Sequence, residues 1–297
     1  MNILYVYREW FHRFKVFGKI MHELGHNVVC RELNNNKVTK KDVGKCEIIW
    51  VHKPQFLKYI PDNNKLVVTY NPVIKEDRDK LVDLYKPFGV VFIPNKHEVE
   101  IMQKLSGESK FKYMPWGYDE RRYYPQFIEK SIDFSYAGSA SKNEVRVEWF
   151  KKMKELLPSI LFFGKQVCEV TKSKKRLYSS HKEQRRIYQA TKCNIDCPLT
   201  NKRRDFIPYQ KMRFFEIPAC GEILLTHYSD EFAELFEPDK EMFYYKDIDE
   251  FISKAKWIVK NYDNLMHVRI SAWERANKDH RFEIRFKTML EIIGEML

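Results

Sequence analysis

Several residues that could bind an anion directly follow short apolar runs of the sequence. Gly138 and Ser139 follow the run Asp133–Ala137, and Lys165 follows Ile160–Phe163. A glycine lets a backbone amide approach a phosphate without a side chain in the way, and a lysine ammonium attracts the same group. These positions predict a phosphate-binding site if the apolar runs are strands of one sheet.

Two other residues could take a proton from a hydroxyl group. His12, with Glu9 before it, comes shortly after the first apolar run, Asn2–Tyr7, and could act as a general base. An exposed histidine at the start of a helix is the alternative interpretation of His12. Asp119, in the turn-rich segment 115–125, is a second candidate. His12 and Asp119 are therefore the candidate catalytic residues.

The elements that must position these residues alternate between strands and helices. In Phe11–Leu24, apolar residues recur with helical spacing, and Gly25 can cap that helix. Strands separated by helices of this length imply a parallel sheet with helices on both faces. The strands predicted in the first half are Asn2–Tyr7, Val28–Cys30, Ile48–Val51, Leu66–Tyr70, Val90–Pro94 and Lys112–Met114, and the other helices are Pro72–Tyr85 and Lys96–Leu105.

A second α/β unit follows a break in this pattern at about residues 115–130. We predict domains of residues 1–125 and 126–297, and the last helix could cross back to the first domain. Ligands of doubly wound sheets bind at the carboxyl ends of the strands, so we expect the ligands in a cleft between the two domains. The later elements predicted are strands at Cys193–Cys197 and Ile223–Thr226 and helices at about 142–156, 209–219, 248–262, 264–278 and 281–296.

The segment Lys211–Thr226 reads KMRFFEIPACGEILLT, and Phe236-Glu237-Pro238 and Glu241 follow it. This order resembles the C-terminal domain of CgeB-like glycosyltransferases, of the spore maturation protein type, whose pattern is roughly R-x-F-E-x-P-A-C-G-x-L-L-L-T, then F-E-P and a Glu. The resemblance covers about residues 130–290, while the first half looks only generically like a sugar-acceptor domain. It implies a GT-B architecture, with two Rossmann-like doubly wound parallel-sheet domains, and transfer of a sugar from a nucleotide-sugar to an acceptor hydroxyl.

The resemblance also implies roles for individual residues. In related GT-B enzymes a Glu at the head of this helix binds the ribose hydroxyls, which gives that role to Glu216, since a carboxylate can accept two hydrogen bonds from a vicinal diol. Arg213, one helical turn earlier, and Lys165 are candidates for the diphosphate, where positive charge offsets the charge that develops as the glycosidic bond breaks. The donor-binding candidates are Gly138, Ser139, Lys165, Arg213, Glu216 and Glu241, the last without an assigned role.

The sequence departs from the related enzymes at one position. Many retaining GT-B enzymes carry a second Glu eight residues before the first, where this chain has Pro208. The contact with the sugar must therefore differ, and retention or inversion at the anomeric carbon stays open. A nucleotide-sugar, with a UDP-sugar preferred, is the expected co-substrate; no other cofactor and no metal are expected, since no Asp-x-Asp motif stands at a plausible strand end.

Two motifs resemble metal sites. His22-Glu23-Leu24-Gly25-His26 matches HExxH, but Gly25 is predicted to end the helix, so His22 and His26 would not share one helical face. Cys193 and Cys197 lie too far apart on a strand to bind one metal. We expect the six cysteines to be reduced, buried thiols.

The chain is basic, with 53 Lys and Arg against 41 Asp and Glu and a net charge of +12. Such a charge attracts polyanions, although an ordinary solvated surface is the alternative. Basic residues lie among aromatic ones between residues 172 and 209, a mixture that can bind phosphates and stack on bases or form a solvated loop. The tentative nucleic-acid-binding residues are Lys174, Lys175, Arg185, Arg186, Arg203 and Arg204.

The acceptor stays open between a surface glycan or protein and a hydroxymethylated base in DNA, as in phage-type DNA glycosyltransferases. The competing hypothesis is a non-catalytic basic module that binds nucleic acid and retains the fold. The first residues lack the features of a signal peptide, and no apolar stretch approaches the ~20 residues that span a membrane. These features predict a soluble, cytoplasmic protein whose oligomeric state the sequence leaves open.

Overall fold

A computed structural model describes residues 1–8, 15–33, 37–70, 78–140, 144–178, 180–197 and 209–297. The chain divides into two compact units. The first contains Met1–Trp116 together with Phe282–Leu297, and the second contains Gly117–Arg281. The division thus falls after Trp116, whereas the sequence placed it after residue 125, and the last helix is part of the first unit.

The first unit contains a parallel sheet, six-stranded over the described residues, in the order β2-β1-β3-β4-β5-β6. Its strands are β1 (Asn2–Tyr7), β2 (Asn27–Glu32), β3 (Ile48–Val51), β4 (Leu66–Tyr70), β5 (Val90–Ile93) and β6 (Phe111–Tyr113). β3 and β5 are buried at every residue, as expected for strands covered on both faces. The helices are α1 (Lys15–Glu23), α2 (Lys40–Gly44), α3 (Arg78–Tyr85), α4 (Lys96–Ser106) and α12 (Phe282–Gly294), with a 3₁₀ helix at Pro54–Tyr59.

Helix α12 belongs to the first unit because its apolar face packs on α1. The Phe17 ring lies with its centroid 4.9 Å from that of Phe282 and 4.8 Å from that of Phe286. All three rings are buried. Aromatic pairs at these distances bury large apolar areas, which fixes the end of the chain against its beginning.

The second unit contains a parallel sheet, five-stranded over the same ranges, in the order β11-β10-β9-β7-β8. Its strands are β7 (Ile132–Ala137), β8 (Leu161–Phe163), β9 (Thr191–Ile195), β10 (Leu224–His227) and β11 (Phe243–Tyr245). Its helices are α5 (Glu144–Leu156), α6 (Lys165–Val170), α7 (His181–Ala190), α8 (Arg213–Ala219), α9 (Asp230–Leu235), α10 (Ile248–Lys260) and α11 (Met266–Asp279), with a 3₁₀ helix at Tyr262–Leu265.

The direction of the crossovers reverses between β7 and β9. After β7 the chain crosses to β8 on one side of the sheet, and after β9 it crosses to β10 on the other side. Open α/β sheets bind ligands outside the carboxyl ends of the strands at such a switch point. Gly138 follows β7 and Asp196 follows β9, so these two residues mark the expected ligand position of the second unit.

The predicted fold class, with two α/β units built on parallel sheets, is confirmed. Five described helices and strands were not predicted, α2, α6, α7, α9 and β11, and neither was the 3₁₀ helix at Pro54–Tyr59. The helix predicted from 209 begins only at Arg213. Helix α7 was missed because its buried face carries Gln184, Arg185 and Gln189, so it lacks the apolar periodicity that identifies a helix.

The HExxH string forms the end of a helix, as predicted. Helix α1 ends at Glu23, and Gly25 follows in the left-handed region with φ of 87°. His22 Nδ1 lies 3.3 Å from the His26 carbonyl oxygen. In the described part of the chain, no group of three or more His, Cys, Asp or Glu side chains could hold a metal ion.

The six cysteines are free thiols, and five of them are buried. The expectation of buried thiols is wrong for Cys30, which is exposed because it lies on the edge strand β2. None of the described helices combines the length and the apolar character needed to cross a membrane.

Candidate functional site

Arg213 lies at the switch point of the second unit, where it connects the ends of β7 and β9. Its Nη1 donates to Asp196 Oδ1 at 2.6 Å and to the Tyr136 hydroxyl at 3.1 Å. The guanidinium also stacks over the Tyr136 ring, 4.8 Å from the centroid. Since Arg213 opens helix α8, the helix and both strand ends are fixed to one another by a single side chain.

Gly138 contributes to this site by lacking a side chain. A Cβ at this position would collide with Nη2 of Arg213, so only glycine lets the guanidinium approach the strand end so closely. The Gly138 amide donates to the Phe163 carbonyl oxygen at 2.8 Å. The Gly138 amide, which was predicted to bind a phosphate, therefore forms a hydrogen bond within the sheet. The absence of a side chain at Gly138 leaves space for the Arg213 guanidinium.

Two more cations lie beside Arg213, and we call Arg146, Lys211 and Arg213 the cation cluster. Arg146, on α5, is buried and donates to the Tyr136 hydroxyl at 2.6 Å. Lys211 is half-buried, with Nζ 5.0 Å from the centroid of the Tyr209 ring. Within the residues that the structure describes, neither Arg146 nor Lys211 forms an ion pair.

Asp196 is the carboxylate that faces the cation cluster. It is fully buried, and its charge acts on both Lys211 and Arg213. With Lys211 protonated, the cluster and Asp196 together leave two positive charges. Burial, with the charges of Arg146 and Arg213, lowers the pKa of Lys211 to about 7, and Asp196 opposes that shift. The excess of buried positive charge makes this a place where an anion would be stabilised.

Three buried polar atoms of the same group have no hydrogen-bond partner over the described ranges: Nε of Arg146, Nε of Arg213 and Oδ2 of Asp196. Buried polar groups in native proteins are nearly always hydrogen-bonded, and exceptions often mark a site that a ligand or ion completes. The cation cluster therefore has the positive charge to hold a doubly negative group, and the Nε–H groups of Arg146 and Arg213 can donate to it.

Glu216 lies on the same helix as Arg213, one turn further along. Its side chain is buried, with 3% of the residue exposed. The Tyr188 hydroxyl on α7 donates to Glu216 Oε2 at 3.3 Å. The structure thus brings the predicted ribose-binding carboxylate and the predicted diphosphate-binding guanidinium together on one short helix, next to the switch point.

A family model described as glycosyl transferase-like matches residues 126–291, which is more than half of the chain. The chain belongs to the glycosyl transferase-like family. The prediction of a glycosyltransferase is confirmed at this level. No curated protein sequence matches the chain.

Solved glycosyltransferase structures have the same fold as this glycosyltransferase and confirm the GT-B architecture. The protein HepE from Anabaena, in complex with UDP-glucose, matches with a TM-score of 0.74 and 9% identity over 99% of this chain and 100% of its own. A sucrose-phosphate synthase from Thermosynechococcus elongatus matches with a TM-score of 0.72 and 10% identity over 100% of this chain and 99% of its own. An alpha-glucosyltransferase in complex with UDP and a 13-mer DNA containing an HMU base matches with a TM-score of 0.69 and 11% identity over 98% of this chain and 99% of its own.

Two other predicted residues of the glycosyltransferase, Asp119 and Glu241, have local partners. Asp119 Oδ1 lies 2.8 Å from Arg121 Nε, and Oδ2 lies 3.0 Å from Arg122 Nε, so two guanidiniums stabilise its charge. The role of Asp119 in proton transfer stays a prediction. Glu241 accepts a hydrogen bond from the Glu237 amide at 2.8 Å, which holds its own turn together.

The basic residues predicted to bind nucleic acid do not behave alike. Lys174, Lys175 and Arg186 are exposed. Arg185 is buried: it donates to the Arg122 carbonyl oxygen at 2.9 Å and stacks on Tyr124, 3.9 Å from the ring centroid. The Arg185 guanidinium thus holds the segment 122–126 in place, and its contact with nucleic acid stays a prediction.

Lys165 and Ser139 are exposed at the carboxyl edge of the second sheet. Lys165 is the first residue of α6, and the Ser139 hydroxyl donates to the Gln166 side chain. His12, Arg203 and Arg204 lie outside the described residues, as does Pro208.

A histidine at the switch point of the first unit was not considered from the sequence. In that sheet the crossovers reverse between β1 and β3, and His52 directly follows β3. Burial lowers the pKa of His52 to about 3, so its imidazole is neutral at physiological pH. The rule that selected His12, a polar residue after a strand, would have selected His52 as well.

The residues that sequence analysis missed in the cation cluster differ in how easily they could have been found. Asp196 lies within the predicted strand Cys193–Cys197, so the rule that selected Gly138 and Lys165, a residue directly after a strand, did not reach it; in the structure β9 ends at Ile195 and Asp196 follows it. Lys211 is the first residue of the quoted motif. Arg146 carries no such signal, since it is one of several charged residues on α5.

Proposed function

We propose that this glycosyltransferase transfers a sugar from a UDP-sugar to an acceptor hydroxyl, with the donor held by the second unit. The cation cluster at the switch point is the observation that carries the proposal. It offers two excess positive charges, which match the charge of a nucleotide-sugar diphosphate, and Glu216 on the adjoining helix can accept hydrogen bonds from a ribose.

The chemistry requires that negative charge on the departing UDP be stabilised as the glycosidic bond breaks. The guanidiniums of Arg213 and Arg146 are both held in place by the Tyr136 hydroxyl. Cations that are fixed before the reaction need not reorganise as charge develops, which is how electrostatic preorganisation lowers the barrier. Lys165 is an exposed, weaker candidate for the same diphosphate.

The names of the structural neighbours support uracil as the base. HepE was solved with UDP and with UDP-glucose, and the alpha-glucosyltransferase was solved with UDP. The CgeB-like subtype and a cytoplasmic location are further parts of the proposal, supported by the motif Lys211–Thr226 and by the sequence features described above. Family membership favours the enzyme over a non-catalytic basic module.

The donor site can be tested with nucleotide diphosphates and two variants. UDP near 100 times its dissociation constant should stabilise the wild-type protein by about 2.7 kcal/mol. In Glu216→Ala and in Arg213→Met this stabilisation should fall below about 1 kcal/mol, because each loses a charge-assisted contact. Arg31→Met is the matched control, since it breaks the Arg31–Asp42 ion pair in the other unit. Normal UDP stabilisation of both site variants would show that the donor binds elsewhere.

DNA is the acceptor that specific observations favour. The alpha-glucosyltransferase named above was solved with DNA, and in this chain exposed basic residues lie near the carboxyl edge of the second sheet. The Gly164 amide donates to the Arg176 carbonyl oxygen at 2.8 Å, which ties the basic segment 172–176 to the end of β8. A glycan or protein acceptor is the alternative.

Salt dependence separates these acceptors. If DNA binds here, replacing three exposed cations by Gln should weaken binding of a short DNA duplex and reduce the slope of log K against log salt by about 3. UDP affinity should not change, since none of the three belongs to the cation cluster. An unchanged slope would favour the glycan or protein acceptor. The three residues are Lys174, Lys175 and Arg186.

A further inference from the structure

A continuous chain of hydrogen-bonded side chains ends at Glu216; its first two members, Arg122 and His181, are partly exposed and the others are buried. It begins at Arg122, whose Nη1 lies 2.8 Å from His181 Nε2, and continues with His181 Nδ1, 2.8 Å from the Tyr123 hydroxyl. Tyr123 in turn lies 2.8 Å from Gln184 Oε1. Gln184 Nε2 donates to the Tyr188 hydroxyl at 2.7 Å, and Tyr188 lies 3.3 Å from Glu216 Oε2.

The direction of every hydrogen bond in this chain follows from its first member. A guanidinium can only donate, so His181 Nε2 accepts and the ring proton is on Nδ1. Nδ1 then donates to Tyr123, which leaves the Tyr123 proton for Gln184. The Gln184 amide nitrogen donates to Tyr188, so the Tyr188 proton points to Glu216. The chain therefore presents a hydroxyl donor to one oxygen of the carboxylate.

The sequence supplies this arrangement through helix α7. His181, Gln184 and Tyr188 are three and four residues apart, so they share one face of the helix. Gln184 and Tyr188 are buried, as is Tyr123 from the preceding segment. Burial, followed by the negative charge of Glu216, raises the pKa of Tyr188 well above its usual value, which keeps the hydroxyl proton available. Asp119 Oδ2 lies 3.0 Å from Arg122 Nε and so holds the first member of the hydrogen-bonded chain in place.

We propose that Tyr188 is a positioning residue for nucleotide recognition: through the hydrogen-bonded chain from Arg122 it holds the Glu216 carboxylate in the orientation that accepts hydrogen bonds from the ribose hydroxyls of the donor. The proposal rests on the ribose role proposed above for Glu216. It assigns to Asp119 and Arg122 a supporting role in donor binding in place of proton transfer.

The affinity ratio between UDP and 2′-deoxy-UDP measures the orientation of Glu216, because only UDP offers both hydroxyls. By isothermal titration calorimetry, wild type should prefer UDP at least about ten-fold, as expected for a hydrogen bond to a charged group. Tyr188→Phe should reduce this preference about three- to ten-fold and should leave the affinity for 2′-deoxy-UDP nearly unchanged. A purely structural role would weaken both ligands equally.

Two further variants make the test independent of the folding of a single variant. Tyr123→Phe breaks the hydrogen-bonded chain two members before Tyr188, so it should shift the ratio of UDP to 2′-deoxy-UDP affinity in the same direction by a smaller factor. Tyr228→Phe is the matched control, because it removes a tyrosine hydroxyl that donates to exposed Asp230 and is not a member of this hydrogen-bonded chain, and it should keep the wild-type ratio.

The outcomes distinguish this inference from the proposed function. A wild-type protein that does not bind UDP, or binds both nucleotides equally, would overturn the proposed donor site or the ribose role of Glu216. A wild-type preference that survives intact in folded Tyr188→Phe would overturn the positioning role alone.

Discussion

Raising the pH should weaken UDP binding, because Lys211 loses its proton in the free protein before most lysines do. Burial beside Arg146 and Arg213 lowers the pKa of Lys211 to about 7. The other groups that act on it are Asp196 and Cys197, and its ammonium lies against the Tyr209 ring. A bound diphosphate adds negative charge beside the ammonium, which favours the protonated form and raises this pKa.

The size of the effect follows from the two protonation states. A charge pair about 4 Å apart at an effective dielectric constant of about 20 is worth about 4 kcal/mol. That energy corresponds to about three pKa units, enough to return Lys211 to the ordinary lysine range of about 10. Binding is then strongest below pH 7 and weakens as the pH rises through 7; by linkage, the dissociation constant should rise up to about 50-fold between about pH 7 and 9.

Calorimetry can count the proton directly. Titrating UDP at about pH 8 in two buffers with different ionisation enthalpies should show uptake of nearly one proton per UDP bound. The terminal phosphate of UDP is itself fully ionised there, since its second pKa is about 6. Lys211→Arg keeps the charge and should bind UDP with little pH dependence, whereas Lys211→Met should bind weakly at every pH.

The control is Lys182→Met, which removes an exposed lysine of α7 and should keep the wild-type pH profile. Two results would contradict the reasoning: no proton uptake by the wild-type protein, or uptake that persists in Lys211→Arg. Either would mean that Lys211 is not the group that titrates beside the diphosphate.

Two further predictions concern close packing and a buried ion pair. Gly138→Ala places a Cβ against the Arg213 guanidinium, so UDP affinity should fall at least about ten-fold and the free energy of unfolding by about 1–3 kcal/mol. Gly44→Ala is the control, because no atom lies near its added Cβ, and it should change neither quantity. Equal UDP affinities of Gly138→Ala and the wild-type protein would refute the close approach of the guanidinium. Lys130→Met removes the cation nearest to the Glu222 carboxylate, which is 2.5 Å away and 3% exposed. The free energy of unfolding in urea should therefore fall by about 3–5 kcal/mol. A loss below about 1 kcal/mol would show that Arg269 alone stabilises the Glu222 carboxylate.

Much of the fold could be predicted because the strands are buried on both faces. Runs such as Ile48–Val51 and Val90–Ile93 are apolar at every residue, which is typical of central parallel strands. Gly25, which was predicted to cap the first helix, has positive φ and marks the end of α1 in the structure. Helix α7 escaped prediction because its buried face is polar, and polar residues are buried only when distant partners satisfy them.

The sequence by itself determined the alternation of strands and helices, the family motif, and the placing of Arg213 one helical turn before Glu216. These are local properties, set by residue spacing along one helix or strand. Only the tertiary structure decided that Arg146, Asp196 and Lys211 join Arg213, and that Tyr123, Gln184 and Tyr188 connect Arg122 to Glu216. Burial is the reason, because a charged group or hydroxyl that loses its contact with water must be hydrogen-bonded or paired within the protein. The partner can be distant in sequence, so the spacing of residues along the chain does not reveal it.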